Sequence, residues 1–131
     1  MPRDENQPEP SPLTQEDLSR ISHMLKCAND ATTIVAADDA SVLEVDMLRA
    51  RALVNCFTEL GEAASRLTPN GRAHVGTLPW RQIIGMRNIV VHVYWGIDMT
   101  ALVTTVRNDL PELVVALKRV LRSHARTDDR A

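Results

Sequence analysis

The sequence predicts an all-α protein, an up-and-down helical bundle of about five helices. Two observations lead there. Apolar residues recur at alternating spacings of three and four over two long stretches, the period of a helix face. No stretch shows the strict alternation of a half-buried strand, and no segment repeats. Where connections are short, neighbouring helices should run antiparallel.

The elements follow in order. Residues 1–13 carry Pro2, Pro8, Pro10 and Pro12 among polar and charged residues and read as a disordered tail. Thr14 opens Thr-Gln-Glu-Asp, a helix cap with acids in the first turn. Leu18, Ile21, Leu25, Ala28, Thr32 and Val35 then mark a helix over 14–36. Ala37–Ala40, with Asp38 and Asp39, reads as a loop, and Ser41-Val-Leu-Glu44 as a capping box. The next helix, 42–67, carries Leu43, Met47, Ala50, Val54, Phe57, Gly61 and Ala64 on one stripe, widened by Leu53, Leu60 and Leu67. Gly61 costs a helix about 1 kcal/mol relative to alanine, so its place on the buried seam predicts close approach of a neighbour.

Thr68–Thr77, with Pro69-Asn-Gly71 and Gly76, reads as a loop. Pro79 suits the first turn of a third helix through Trp80, Ile83, Ile84, Val91 and Tyr94, ended by Gly96. Asp98 can cap a fourth through Met99, Leu102, Val103 and Val106. Pro111 breaks or kinks the chain before a last helix carrying Leu113, Val114, Leu117, Val120 and Leu121. Residues 123–131 read as a frayed tail, which leaves one bundle over 14–122.

Composition narrows the class. A chain of 131 residues with 44% hydrophobic and 24% charged residues is an ordinary one-domain globule. The net charge of −2 offers no global attraction to nucleic acid. It is unevenly spread: residues 1–80 hold 7 basic and 12 acidic side chains, and residues 81–131 hold 8 and 5. Three of the four aromatics, Trp80, Tyr94 and Trp95, crowd into one short segment. Cys27 and Cys56 sit inside helical patterns with no disulfide or metal-ligand spacing and read as reduced core residues of a cytoplasmic protein. No leader peptide is expected, and no apolar run approaches the ~20 residues of a membrane helix.

The informative segment is 79–94. Within it Arg87-Asn88 leads to His92 and then Tyr94. An isolated histidine on a helix is more often structural than catalytic, and an arginine more often a surface charge. At about 100° per residue, Asn88 and His92 share a face and Arg87 nearly stacks with Tyr94, while Arg87 and His92 diverge by about 140°. Two copies meeting across a twofold axis would bring Arg87 and His92 onto one phosphate more readily than one copy could. Arg107-Asn108 repeats the dipeptide, but no histidine follows at a matching distance. Glu62 either bridges to Arg87 or Asn88 or lies on a solvated face, and the solvated face is the preferred reading. His23 falls on a helix, His74 in a loop and His124 near the frayed end. No phosphate-binding glycine loop, cysteine cluster or H-E-x-x-H is present.

The segment resembles the signature of HEPN domains, and in its spacing that of HepT-like toxins. Glu59-Leu-Gly-Glu-Ala-Ala64 resembles their Gly-Glu-Ala block on the second long helix, and Pro79-Trp80, Gly85-Met-Arg-Asn88, Ile97-Asp98 and Asp109-Leu-Pro111 fall where that family has similar residues. The resemblance covers about 14–122 and implies a HEPN-type bundle that forms a homodimer, with both motifs lining one cleft. It also implies metal-independent RNA cleavage without a cofactor. Arg87 would bind the phosphate, His92 would move protons, and Asn88 would orient either. A companion minimal nucleotidyltransferase would act as antitoxin by adenylylating Tyr94. Two other readings stand beside this one: a non-catalytic HEPN module that binds nucleotide or docks a nucleotidyltransferase, and a plain helical dimerisation domain.

Overall fold

A computed structural model describes the backbone of residues 11–88 and 98–130, with side chains through Arg126. Among these residues the chain is helical without strands. The helices are α1 (Gln15–Val35), α2 (Ala40–Val45), α3 (Met47–Ser65), α4 (Pro69–Val75), α5 (Trp80–Gly85), α6 (Met99–Asn108) and α7 (Leu110–Arg130), with a 3₁₀ turn at Met86–Asn88. The all-α bundle is as expected. Its long members are α1, α3, α6 and α7, while α2, α4 and α5 are short.

The core is a pairing of α1 with α3, flanked by α6 and α7. Ile21, Met24 and Ala28 of α1 bury against Leu53, Phe57, Leu60 and Ala64 of α3. The two helices run antiparallel, because contacts pair rising numbers on one with falling numbers on the other. Arg49 binds the carbonyls of Ile34 and Val35, while His23 meets Glu59 and Asp17 meets Thr68. The Arg49 fork reaches the end of α1, donating at 2.6 Å to Ile34 O and at 2.9 Å to the Asp38 carboxylate. It thereby satisfies carbonyls that a helix end leaves orphaned. Arg107, the second Arg-Asn, donates to the Asp38 carbonyl and so ties α6 to the same corner.

Several local expectations need correction. Asp39, not Ser41, caps α2: its carboxylate accepts from the Ser41 and Val42 amides. Asp46 interrupts the long helix expected over 42–67, ending α2 and capping α3 through the Arg49 amide at 3.2 Å. A short acid that bonds the backbone favours a cap over a helix interior. The interruption leaves Met47 on the outside, 56% exposed, although the stripe placed it inward. On α1, Thr32 is likewise exposed, and Met24, Cys27 and Ala31 fill the seam instead.

The expected loop at 68–77 contains helix α4. Thr68 caps it by accepting from the Gly71 amide at 3.0 Å, and Pro69 occupies its first turn. The Asn-Gly that reads as a turn has another cause: a Cβ on Gly71 would lie 2.7 Å from the Asp17 carboxylate. Asp17 is fully buried and accepts from the Thr68 amide at 3.0 Å and the Thr68 hydroxyl at 2.5 Å. This is the paired state that a buried carboxylate requires. The break expected at Pro111 separates α6 from α7. Asp109 closes α6, and Pro111 sits in the first turn of α7, where it lacks no needed hydrogen bond. The α7 backbone runs on to Arg130, past the boundary at 122 set by the apolar pattern.

Candidate active site

Arg87 and Asn88 lie on the 3₁₀ turn that follows α5. Sequence periodicity treats 79–96 as one α-helix, but the chain tightens at Met86–Asn88. The angular expectation for His92 and Tyr94 falls on residues outside the described ones. The 3₁₀ turn packs closely on α3. A Cβ on Gly61 would fall on the Arg87 backbone nitrogen, 2.9 Å from the Ile84 carbonyl oxygen and 3.1 Å from the Arg87 Cα. The expected close approach at Gly61 is real, and what approaches is the backbone of the motif itself.

The segment is anchored on its other side by Trp80. Its indole N–H donates to the Gly76 carbonyl at 3.1 Å, and the Arg72 guanidinium stands 6.0 Å from its ring centre. Ile83 is buried between these anchors. Arg87 thus projects from a seat made of backbone on α3 and apolar side chains on α5. Such a support suits a group that must hold its geometry.

The Arg87 side chain is 43% exposed, with one guanidinium nitrogen 3.5 Å from Glu62 Oε2. Glu62 also accepts from Arg66 Nε at 3.1 Å through its other oxygen. The solvated-face reading preferred for Glu62 is therefore replaced by a bridge between two arginines. Arg66 was missed, although Glu62 and Arg66 stand four apart on one helix, the spacing at which such pairs meet. Glu62 and Arg66 also edge an open groove of about 660 Å³ between α1 and α3, which continues past Ser19, Arg20, His23 and Glu59. Exposed cations and partly neutralised carboxylates at one rim form a surface that an anionic polymer can compete for. Asn88 is exposed beside Arg87. His92 and Tyr94 lie outside the described residues.

The remaining histidines are placed elsewhere. His74, on α4, has its Nε2 2.6 Å from the Ser11 carbonyl, and His23 faces Cys27 and Glu59. Cys27 and Cys56 are buried and unpaired with each other, as expected. Burial pushes the Cys27 thiol up to about 12, and Cys56 is raised for the same reason. Neither has the low-pKa environment of a nucleophile.

Residues 24–120 match the family model described as "Ribonuclease HepT-like". The chain belongs to the HepT-like family. The match spans α3, the Arg87 turn and α6, so Gly61, Glu62, Arg87 and Asn88 all lie within it. The chain is also similar to individual proteins named as ribonucleases. It is 28% identical over 90 residues to "Putative RNase MJ1380" of Methanocaldococcus jannaschii, covering 69% of this chain and 83% of that protein. It is 31% identical over 77 residues to "Putative RNase TTE0752" of Caldanaerobacter subterraneus subsp. tengcongensis, covering 59% and 69%. It is 31% identical over 62 residues to "Probable ribonuclease HepT" of Thermococcus cleftensis, covering 47% and 56%. No solved structure matches the chain. Among the described residues, no helix of this HepT-like chain is long and apolar enough to cross a membrane.

Proposed function

We propose that the protein is a metal-independent RNA endonuclease, the toxin of a HEPN/nucleotidyltransferase toxin–antitoxin pair, acting in the cytoplasm as a homodimer. The observation that carries this reading is an exposed arginine, set by backbone contact with Gly61, in a chain of the HepT-like ribonuclease family. In the proposed reaction the ribose 2′-oxygen bonds to the adjacent phosphorus and the bond from phosphorus to the 5′-oxygen breaks. A 2′,3′-cyclic phosphate and a 5′-hydroxyl result. His92 accepts the 2′-hydroxyl proton or supplies the one that the leaving oxygen takes up. Arg87 stabilises the charge that builds on the phosphoryl oxygens. Substrate phosphate takes the place of the Glu62 carboxylate at the guanidinium, an exchange eased by the small worth of an exposed ion pair.

Arg87→Lys tests the role of the fork. Lysine keeps the charge and loses bidentate geometry. Cleavage of a labelled RNA should fall well below wild type while circular dichroism shows the same helicity. An unchanged rate would remove Arg87 from the site. The same assay in excess EDTA should proceed at the untreated rate, and loss of cleavage restored by a divalent ion would contradict the mechanism.

Regulation rests on Tyr94, the only tyrosine in the chain. Incubation with the cognate minimal nucleotidyltransferase and Mg-ATP should add AMP there. Each AMP brings a phosphodiester charge that competes with RNA for the Arg87 fork. Intact mass should rise by one or more AMP units on the wild type and stay unchanged on Tyr94→Phe, which should also escape silencing. Modification at another residue would refute this regulatory reading while leaving the ribonuclease reading standing.

A further inference from the structure

A second chemical cluster lies on the α1–α3 seam, apart from the Arg87 turn. His23 and Cys27 stand four apart on α1, one turn, so both side chains leave the same face. Glu59 reaches them from α3. His23 Nε2 is 3.6 Å from Cys27 Sγ and 4.0 Å from Glu59 Oε1. All three ligand atoms lie within 4.8 Å of one another. Zinc bonds of about 2.0–2.3 Å set tetrahedrally separate neighbouring ligand atoms by about 3.3–3.6 Å. The histidine–cysteine separation already has this value, and the carboxylate needs to close by less than the length of one bond.

The surroundings agree. Cys27 is 3% exposed, while His23 and Glu59 line the open groove. A fourth position therefore opens toward water. Asn55 donates to Glu59 Oε2 at 3.2 Å, which orients the carboxylate and leaves Oε1 toward the cysteine and histidine. An outer-shell partner of this kind fixes a ligating carboxylate.

We infer that His23, Cys27 and Glu59 form a binding site for one divalent zinc ion, with water as the fourth ligand, bridging α1 to α3. A nitrogen, a thiolate and a carboxylate make a borderline-soft donor set that suits zinc over magnesium or calcium. Binding replaces the sulfur–hydrogen bond by a sulfur–metal bond and releases the proton to water. The ion stands outside the proposed cleavage chemistry, whose assay in EDTA is a separate question.

The test uses the full chain without an affinity tag, stripped with EDTA and freed of chelator. Added zinc should bind at one equivalent per chain by elemental analysis and raise the melting temperature. Cobalt(II) as probe should give a thiolate-to-metal charge-transfer band in the near ultraviolet. Cys27→Ser should abolish that band and Cys56→Ser should keep it. His23→Gln and Glu59→Gln, both on exposed side chains, should weaken zinc binding by at least roughly tenfold with helicity intact. Absence of the band on folded wild type, its survival in Cys27→Ser, or unchanged affinity in His23→Gln would each overturn the site and leave a hydrogen-bonded surface cluster only. None of these readouts depends on RNA cleavage, so failure here and failure of the ribonuclease reading are distinguishable.

Discussion

His92→Ala is expected to lower RNA cleavage by about 10²–10⁴-fold, the range that general acid–base catalysis supplies. His74 is engaged at Ser11, and His23 faces the Cys27–Glu59 cluster across the α1–α3 seam. Imidazole is the side chain whose proton moves near neutral pH, so water or Asn88 cannot recover the step efficiently. Fold is tested alongside by circular dichroism and melting. Single-turnover cleavage of a defined RNA measures the effect, and growth inhibition on expression should vanish with it. A variant that cleaves at the wild-type rate would remove His92 from the mechanism and favour the non-catalytic module.

Gly61→Ala should have the next largest effect, through geometry. The three atoms nearest the added methyl are all backbone: the Arg87 nitrogen, the Ile84 carbonyl oxygen at 2.9 Å and the Arg87 Cα at 3.1 Å. Backbone cannot swing aside as the tip of a side chain can, so α5 and the Arg87 turn must shift together. Overpacking of this kind costs about 1–3 kcal/mol, against which alanine's better helix propensity returns about 1 kcal/mol. The melting temperature should therefore drop. Cleavage should drop further, because a displacement of about 1 Å at a catalytic group can cost roughly 10²-fold. Gly85→Ala is the matched control. Among the described residues a methyl group there would meet no atom within 4 Å, and the φ of Gly85 is not positive. It should keep activity and hold or gain stability. Equal melting and cleavage in Gly61→Ala and wild type would show that the turn is not seated on α3.

Much of this protein is legible from residue order alone. The spacing of Leu18, Ile21 and Ala28, and of Leu53, Phe57, Leu60 and Ala64, specifies two long amphipathic helices, because burial of a stripe is a local property of the period. Thr14 and Asp98 announce their helices by capping chemistry that acts over three residues. The family signature around Arg87 is also contiguous in the chain. Gly61 could be singled out as a point of close approach, since a glycine on a buried helix seam needs a neighbour to explain it.

What tertiary structure decided is what depends on partners far apart in sequence. Gly71 reads locally as a turn, and only the carboxylate of Asp17, more than fifty residues away, explains why no side chain fits there. The Glu62–Arg66 pair is readable from its four-residue spacing, but whether Glu62 also meets Arg87 depends on where α5 lays the Arg87 turn, which the sequence near Glu62 does not contain. Met86–Asn88 tightens into a 3₁₀ turn where it meets Gly61 of another helix, and a helical wheel drawn on one segment has no term for that contact. The His23–Cys27 pair is visible as a four-residue spacing, yet it becomes a three-ligand cluster only when antiparallel packing brings Glu59 across the seam. Period and capping are encoded over a few residues and can be read directly, whereas a site assembled from two helices exists only once their common face is buried.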